Sequence, residues 1–116
     1  MRKAASTNAL NQRTLLDECP FAHALEIIAP RWAAAIVYKV GNASAPLTFG
    51  QLHALLPGVS NKMLAQRLRG LAAAGVLSKR VTPSDPPVID YALTARGESL
   101  MPVLAEMEAW AANSAT

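Results

Sequence analysis

The chain has 116 residues, 52% of them hydrophobic, which suffices for a single domain with its own core. One cysteine excludes a disulfide framework and a zinc finger and suits a reducing compartment, so we expect a cytoplasmic protein. The net charge is only +3. No apolar segment approaches the length of a membrane span, and the residues after Arg2 and Lys3 are polar, unlike those of a signal peptide.

The first residues are predicted to be an arm that precedes the folded part. Residues 1–14 contain one large apolar side chain, Leu10, so we predict a flexible arm there and a single domain over 15–116. Pro20 suits the first turn of a helix, which Pro30 then breaks. Helical spacing resumes from Trp32 and ends near Gly41, and Trp32 is predicted to be a core anchor rather than part of a ligand pocket.

Two short helices are predicted next, joined by a tight turn. After a loop over 43–47, Thr48 and Gln51 have the spacing of a capping box at the start of a helix. Its inner face is predicted to contain four apolar side chains: Phe49, Leu52, Leu55 and Leu56. Pro57-Gly58 is a turn dipeptide, and Ser60 can cap the following helix, which is predicted to run to Gly75. This arrangement is typical of a helix-turn-helix.

The helix after Ser60 has two different faces. Three leucines spaced at i, i+4 and i+7 predict a buried stripe: Leu64, Leu68 and Leu71. Lys62, Gln66 and Arg69 lie on the opposite side and include no carboxylate. Cationic and amide side chains pair with guanine and adenine edges in the DNA major groove. The pattern therefore predicts a recognition helix.

A two-residue period then predicts two strands, 76–82 and 88–93, with a proline-rich loop between them. A hairpin directly after a recognition helix is a wing, and Lys79 and Arg80 at its base can reach phosphates. A plain edge hairpin that covers the core explains the strands equally well, but it does not explain the two cations.

Thr94 is predicted to cap a last helix that runs to about Asn113 and carries a wide apolar stripe. One domain can cover only part of this stripe, and soluble monomers rarely leave such a patch exposed. We therefore predict a two-fold homodimer built on this helix, with help from residues near the start of the domain. The predicted dimer interface comprises Leu15, Leu16, Phe21, Leu100, Val103, Leu104, Met107 and Trp110.

Carboxylates are absent from the middle of the chain. No Asp or Glu occurs between Ile27 and Ser84, an interval that contains seven cations: Arg31, Lys39, Lys62, Arg67, Arg69, Lys79 and Arg80. A basic middle with acidic flanks is typical of a protein that binds a polyanion, although ordinary surface variation can also produce it.

The chain resembles the HxlR-type transcriptional regulators, winged-helix proteins related to the MarR group, from Cys19 to Trp110. The resemblance rests on Cys19-Pro20, residues 24–28, Arg31-Trp32, 49–52, 56–60, 62–64, 66–69, 75–77, Pro86-Pro87, 91–94, Gly97 and 102–104. It implies a fold that is mainly α with a small β-hairpin (α+β), a winged helix-turn-helix with flanking dimerisation helices. It also implies a small prokaryotic, homodimeric DNA-binding regulator without a cofactor.

The resemblance and the helix faces together predict the DNA-binding residues. They are Thr48, Ser60, Asn61, Lys62, Ala65, Gln66, Arg69, Lys79 and Arg80. The chain departs from the family pattern at Thr48 and Val88, where basic residues are common, at Ala65, where a hydroxyl is common, and at Gly70. The loss of two cations predicts a weaker and less salt-dependent complex.

Some relatives sense oxidants or electrophiles through a cysteine near the N-terminus, so Cys19 is a candidate redox sensor. A helix start favours the thiolate, whereas Asp17 and Glu18 oppose it, and a packing role at a dimer contact is the alternative. An oxidant and a small molecule are therefore both candidate effectors.

Two other functional classes are alternatives to a DNA-binding regulator. A winged-helix module that docks on an acidic protein surface would bind protein rather than specific DNA. An enzyme is disfavoured because the sequence offers no paired carboxylates in a plausible pocket, no nucleophile with a nearby base, no phosphate loop and no metal-ligand cluster.

Overall fold

The computed structural model describes residues 19–114; the predicted arm and the predicted interface residues Leu15 and Leu16 lie outside this range. The chain divides into two compact units, with the boundary between Arg31 and Trp32. In the first unit, helix α1 spans Pro20–Ile28 with Pro20 in its first turn, as predicted. Cys19 is the residue that precedes it, and the N–H of Ala29 closes its end on the carbonyl of Leu25 at 2.8 Å.

Within the described residues, the second unit contains four helices and three strands. In chain order they are α2 (Ala33–Asn42), β1 (Leu47–Thr48), α3 (Phe49–Leu55), α4 (Asn61–Ala73), β2 (Leu77–Thr82), β3 (Val88–Leu93) and α5 (Ala95–Ser114). The strands form one antiparallel sheet in the order β1-β3-β2. The predicted fold class, mainly helical with a small β-hairpin, is confirmed. The strand β1 was not predicted, because Leu47 was assigned to a loop and Thr48 to a helix cap.

The core of the second unit consists of apolar side chains from its helices and from the sheet. Its most deeply buried members are Ile36 and Val37 from α2, Leu52 from α3, Leu64 from α4, and Val76 just before β2. The predicted leucine stripe is confirmed, since Leu64, Leu68 and Leu71 are all buried. Burial of a leucine contributes about 2 kcal/mol, so this stripe fixes which face of α4 points outward.

One residue of the predicted inner face of α3 is on the surface. Leu55 is 43% exposed, whereas Leu52 and Leu56 are buried. Residues separated by four positions share a helix face, so Leu52 and Leu56 point the same way and Leu55 is rotated away from the core. The prediction for Leu55 was wrong because α3 has only seven residues, too few for its apolar positions to define one face clearly.

The predicted stripe on α5 is divided between the core and the surface. Leu104 is buried in the chain's own core and Leu100 is half-buried. Val103, Met107 and Trp110 follow one another at i, i+4 and i+7 and are 50%, 48% and 72% exposed. Leu104 has little surface left for a partner, because its side chain already packs within its own protomer.

Candidate nucleic-acid interface

The start of α4 is fixed by a turn and a cap. Gly58 has a φ of 93°, in the left-handed region that glycine adopts without strain, and this allows the chain to turn between α3 and α4. The Ser60 hydroxyl accepts from the Met63 N–H at 3.0 Å, so it is the predicted N-cap. Its own proton is still available to donate to a phosphate oxygen.

The end of α4 is closed by a glycine motif. Gly75 has a φ of 78°, its N–H donates to the Ala72 carbonyl at 3.0 Å, and the Val76 N–H donates to the Leu71 carbonyl at 3.0 Å. This is a Schellman pair, and the buried side chains of Leu71 and Val76 supply its usual apolar contact. The helix is therefore held at both ends.

The outward face of α4 presents the predicted DNA-reading side chains. Asn61, Lys62, Gln66 and Arg69 are exposed, and Ala65 is half-buried beside them. No acidic residue occurs in the helix, so no carboxylate on α4 opposes a phosphate backbone. Thirteen residues make a rod about 20 Å long. A DNA major groove, about 12 Å wide, admits an α-helix.

Thr48 joins the sheet to α3. Its hydroxyl accepts from the Gln51 N–H at 3.2 Å, and the Gln51 side chain accepts from the Thr48 N–H at 2.8 Å, which confirms the predicted capping box. As the last residue of β1, Thr48 also stands opposite Asp90 of β3. The cap uses the Thr48 oxygen as an acceptor, so the hydroxyl proton can donate to another acceptor.

The two basic residues of the wing point in opposite directions. Lys79 pairs with Tyr91 and Arg80 with Asp90 in the β2–β3 register, and successive strand residues alternate between faces. Both side chains are exposed. Lys79 therefore shares its face with the buried Tyr91, while Arg80 lies on the other face, so the two cations belong to different surfaces.

Arg80 is engaged in an ion pair that we did not predict. Its Nε donates to Oδ1 of Asp90 at 3.0 Å. The two predicted strands were enough to find this pair. When they are paired symmetrically about residue 85, Arg80 lies opposite Asp90.

A recess of about 270 Å³ lies between α2 and α5. It is lined by Ala34, Ala35, Tyr38, Leu104, Met107 and Glu108. The Tyr38 hydroxyl donates to Oε1 of Glu108 at 2.8 Å, so the polar groups of the recess bond to each other.

Cys19 is half-buried and carries a free thiol at the start of α1. Phe21, two residues on, is 72% exposed. Within residues 19–114, none of the helices combines the length and the apolar composition that a membrane span requires.

Comparisons with known proteins agree on one family. The model of a family described as HxlR-like helix-turn-helix matches residues 27–116. The HTH-type transcriptional regulator YvaP of Bacillus subtilis is 39% identical over 96 residues, which cover 82% of this chain and 87% of YvaP.

Solved structures agree with the sequence comparison. A MarR-family transcriptional regulator from Porphyromonas gingivalis W83 is similar with a TM-score of 0.75 and 31% identity, covering 81% of this chain and 90% of that one. The oxidised form of the redox regulator HypR is similar with a TM-score of 0.75 and 27% identity, covering 82% and 96%.

Proposed function

This chain belongs to the HxlR-like helix-turn-helix family, and we propose that it acts as a homodimer that binds a specific sequence of double-stranded DNA. The family comprises DNA-binding transcriptional regulators and not enzymes, so the prediction of a helix-turn-helix regulator is confirmed. Sequence-specific binding, the homodimer and a cytoplasmic location go further and are our proposal.

The outward face of α4 carries this proposal. Lys62, Gln66 and Arg69 stand exposed opposite a buried leucine stripe, on a helix whose two ends are fixed. A rigid helix loses little conformational freedom on binding, and its Gln and Arg side chains can each make two hydrogen bonds to a base edge. Each such pair discriminates against a wrong base by about 1–3 kcal/mol.

Dimerisation is proposed through the exposed apolar residues of α5. Val103, Met107 and Trp110 form a row that water would otherwise contact. A two-fold axis lets this row cover its own copy, and it presents two α4 helices to the same duplex. Half-sites one helical turn apart, roughly 34 Å, then predict an inverted-repeat operator.

The proposal is tested by incubating the purified protein with fragmented genomic DNA and sequencing the fragments that remain bound. We expect an enriched inverted repeat. On that duplex, Arg69→Ala or Gln66→Ala should weaken binding by about 1–3 kcal/mol and relax preference at particular base pairs. Recovery of fragments without a shared sequence would contradict the proposal. Salt-sensitive binding to an acidic protein, without preference among duplexes, would favour a protein-interaction module.

We also propose that an oxidant or electrophile regulates this binding through Cys19. The similarity to the redox regulator HypR favours this candidate, and Cys19 carries a free, half-buried thiol at the start of α1. Diamide takes one hydrogen from each of two thiols, so it can join Cys19 of one protomer to the partner's Cys19 in a disulfide. It should release the selected duplex from the parent protein and leave a Cys19→Ser variant bound. Unchanged binding by the parent, with Cys19 a free thiol by mass spectrometry, would exclude sensing. A small molecule in the recess beside α5 is the alternative effector.

A further inference from the structure

Arg80 and Asp90 form an ion pair across the base of the wing. They are directly opposite each other in the β2–β3 register, with Nε of Arg80 3.0 Å from Oδ1 of Asp90. The Asp90 side chain is 15% exposed and the Arg80 side chain 56%. The carboxylate is therefore the fixed, sheltered partner, and the guanidinium extends from it toward solvent.

Asp90 also lies between two of the predicted DNA contacts. It faces Thr48 of β1 on one side and Arg80 of β2 on the other, and directly opposed residues share a sheet face. Neighbouring strands are about 4.8 Å apart, so Thr48, Asp90 and Arg80 form a row about 10 Å long. A bare carboxylate in the middle of this row would repel a phosphate backbone.

The geometry of the pair leaves Arg80 able to bind DNA. A guanidinium has five N–H donors, and the bond to Asp90 occupies the one on Nε. The four donors of the two terminal amino groups are left for a further acceptor, and two of them match the spacing of phosphate oxygens. A flexible arginine loses rotamer freedom when it binds, and an arginine that is already held in place loses less.

We propose that Asp90 is a positioning residue for DNA binding, which holds the Arg80 guanidinium toward a phosphate while Arg80 neutralises the Asp90 carboxylate. This proposal rests on the proposed DNA-binding function and assigns the Arg80 face of the wing, not the Lys79 face, to the backbone. Arg80 offsets the repulsion between the Asp90 carboxylate and a polyanion, and Asp90 holds Arg80 where it can bind that polyanion.

The test is a double-mutant cycle on the duplex recovered by genomic selection, labelled with fluorescein and followed by anisotropy over a range of salt concentrations. Asp90→Ala should weaken binding by about threefold to tenfold for each protomer in the parent background. In the Arg80→Ala background the same change should leave affinity unchanged or increase it, because it removes an unpaired carboxylate. Arg80→Ala should reduce the salt slope by about one per protomer.

Two controls separate positioning from folding. Asp90→Asn keeps an oxygen that can accept from Nε, so it should bind nearly as well as the parent protein. Thr82→Ala, on the same sheet face nearer the wing tip, should have no effect on affinity. Circular dichroism melts would establish that each variant is folded at the assay temperature.

Three results would overturn the proposal. Tighter binding by Asp90→Ala in the parent background would mean that Asp90 only masks the charge of Arg80. Equal weakening in both backgrounds would mean that Asp90 only supports the hairpin. A parent protein without preference for any duplex would overturn the proposed function, and the role of Asp90 with it.

Discussion

The Thr94 hydroxyl donates to the backbone carbonyl of Gly75 at 2.6 Å and thereby joins the start of α5 to the end of α4. The same oxygen accepts from the Gly97 N–H at 3.0 Å, and the Thr94 N–H donates to the Val76 carbonyl at 3.0 Å. One residue thus caps the proposed dimerisation helix and anchors it to the proposed recognition helix. These bonds hold the start of α5 against the two residues that follow the α4 C-cap.

Thr94→Val should destabilise the fold. Valine keeps the shape of threonine but can neither cap the Gly97 N–H nor donate to Gly75, so we expect a loss of about 1–2 kcal/mol. Urea denaturation measures this difference. Thr82→Val, at an exposed strand position, is the matched control and should change stability by less than about 0.5 kcal/mol. Equal stability of the two variants would show that the Thr94 bonds contribute nothing.

Two helical glycines should respond to alanine in opposite ways. A Cβ at Gly97 would overlap the carbonyl oxygen of Val76, whereas a Cβ at Gly70 would meet no atom within 4 Å. We expect Gly97→Ala to destabilise by about 1–3 kcal/mol through overpacking and Gly70→Ala to stabilise by about 1 kcal/mol through helix propensity. Thermal and urea unfolding measure both changes. A stable Gly97→Ala protein would contradict the close contact between α5 and the segment after α4.

The Tyr38–Glu108 bond predicts a pH dependence. The hydrogen bond to the Glu108 carboxylate raises the pKa of Tyr38 above its ordinary value of 10.0, and partial desolvation and the Glu108 charge act in the same direction. Because the folded-state pKa is raised, the contribution of Tyr38 to stability is present below pH 10 and is lost as the pH rises through that pKa.

Phenolate absorbance measures this effect directly. The difference between titrations of the parent protein and Tyr38→Phe isolates Tyr38, and Glu108→Gln should return its pKa toward the ordinary value. The stability difference between the parent protein and Tyr38→Phe should be constant from neutral pH to about pH 10 and should disappear at higher pH. An unchanged titration in Glu108→Gln would exclude the carboxylate as the cause.

Trp110→Glu should dissociate the proposed dimer without unfolding the protomer. Trp110 is 72% exposed in the single chain, so the change removes no core packing but places a charge within the apolar row. Sedimentation at micromolar concentration should show a monomer for Trp110→Glu and a dimer for the parent. Ala105→Glu, exposed on the other side of α5, is the control and should remain dimeric. A parent protein that sediments as a monomer would contradict the dimer.

Local chemistry predicted much of the second unit. The caps at Thr48, Ser60 and Thr94 and the stop at Gly75 depend on a few neighbouring residues, so the sequence alone sufficed to place them. The outward face of α4 followed from helical periodicity, because the leucine stripe fixes its orientation. The comparisons confirm the family and the fold class, while the individual DNA contacts remain predictions.

Three details that depend on strand register or tertiary packing were not predicted. β1 has two residues, too few to show a periodicity, and it becomes visible only through its pairing with Tyr91 and Asp90. The Arg80–Asp90 bond requires the hairpin register. The backbone of Trp32, with a φ of 77°, is strained for a non-glycine residue, and nothing in its neighbours indicates it.

The most direct test of α4 as the recognition helix uses a triple variant, Lys62→Ala, Gln66→Ala, Arg69→Ala. Its binding is compared with that of the parent on the selected duplex and on an unrelated one. Lys39→Ala, which removes one exposed cation from α2, controls for the loss of a positive charge outside α4. We expect the triple variant to fold and to lose its preference for the selected duplex, while Lys39→Ala keeps it. Gel shifts in which the triple variant matches the parent on both duplexes would contradict the assignment of α4 as the recognition helix.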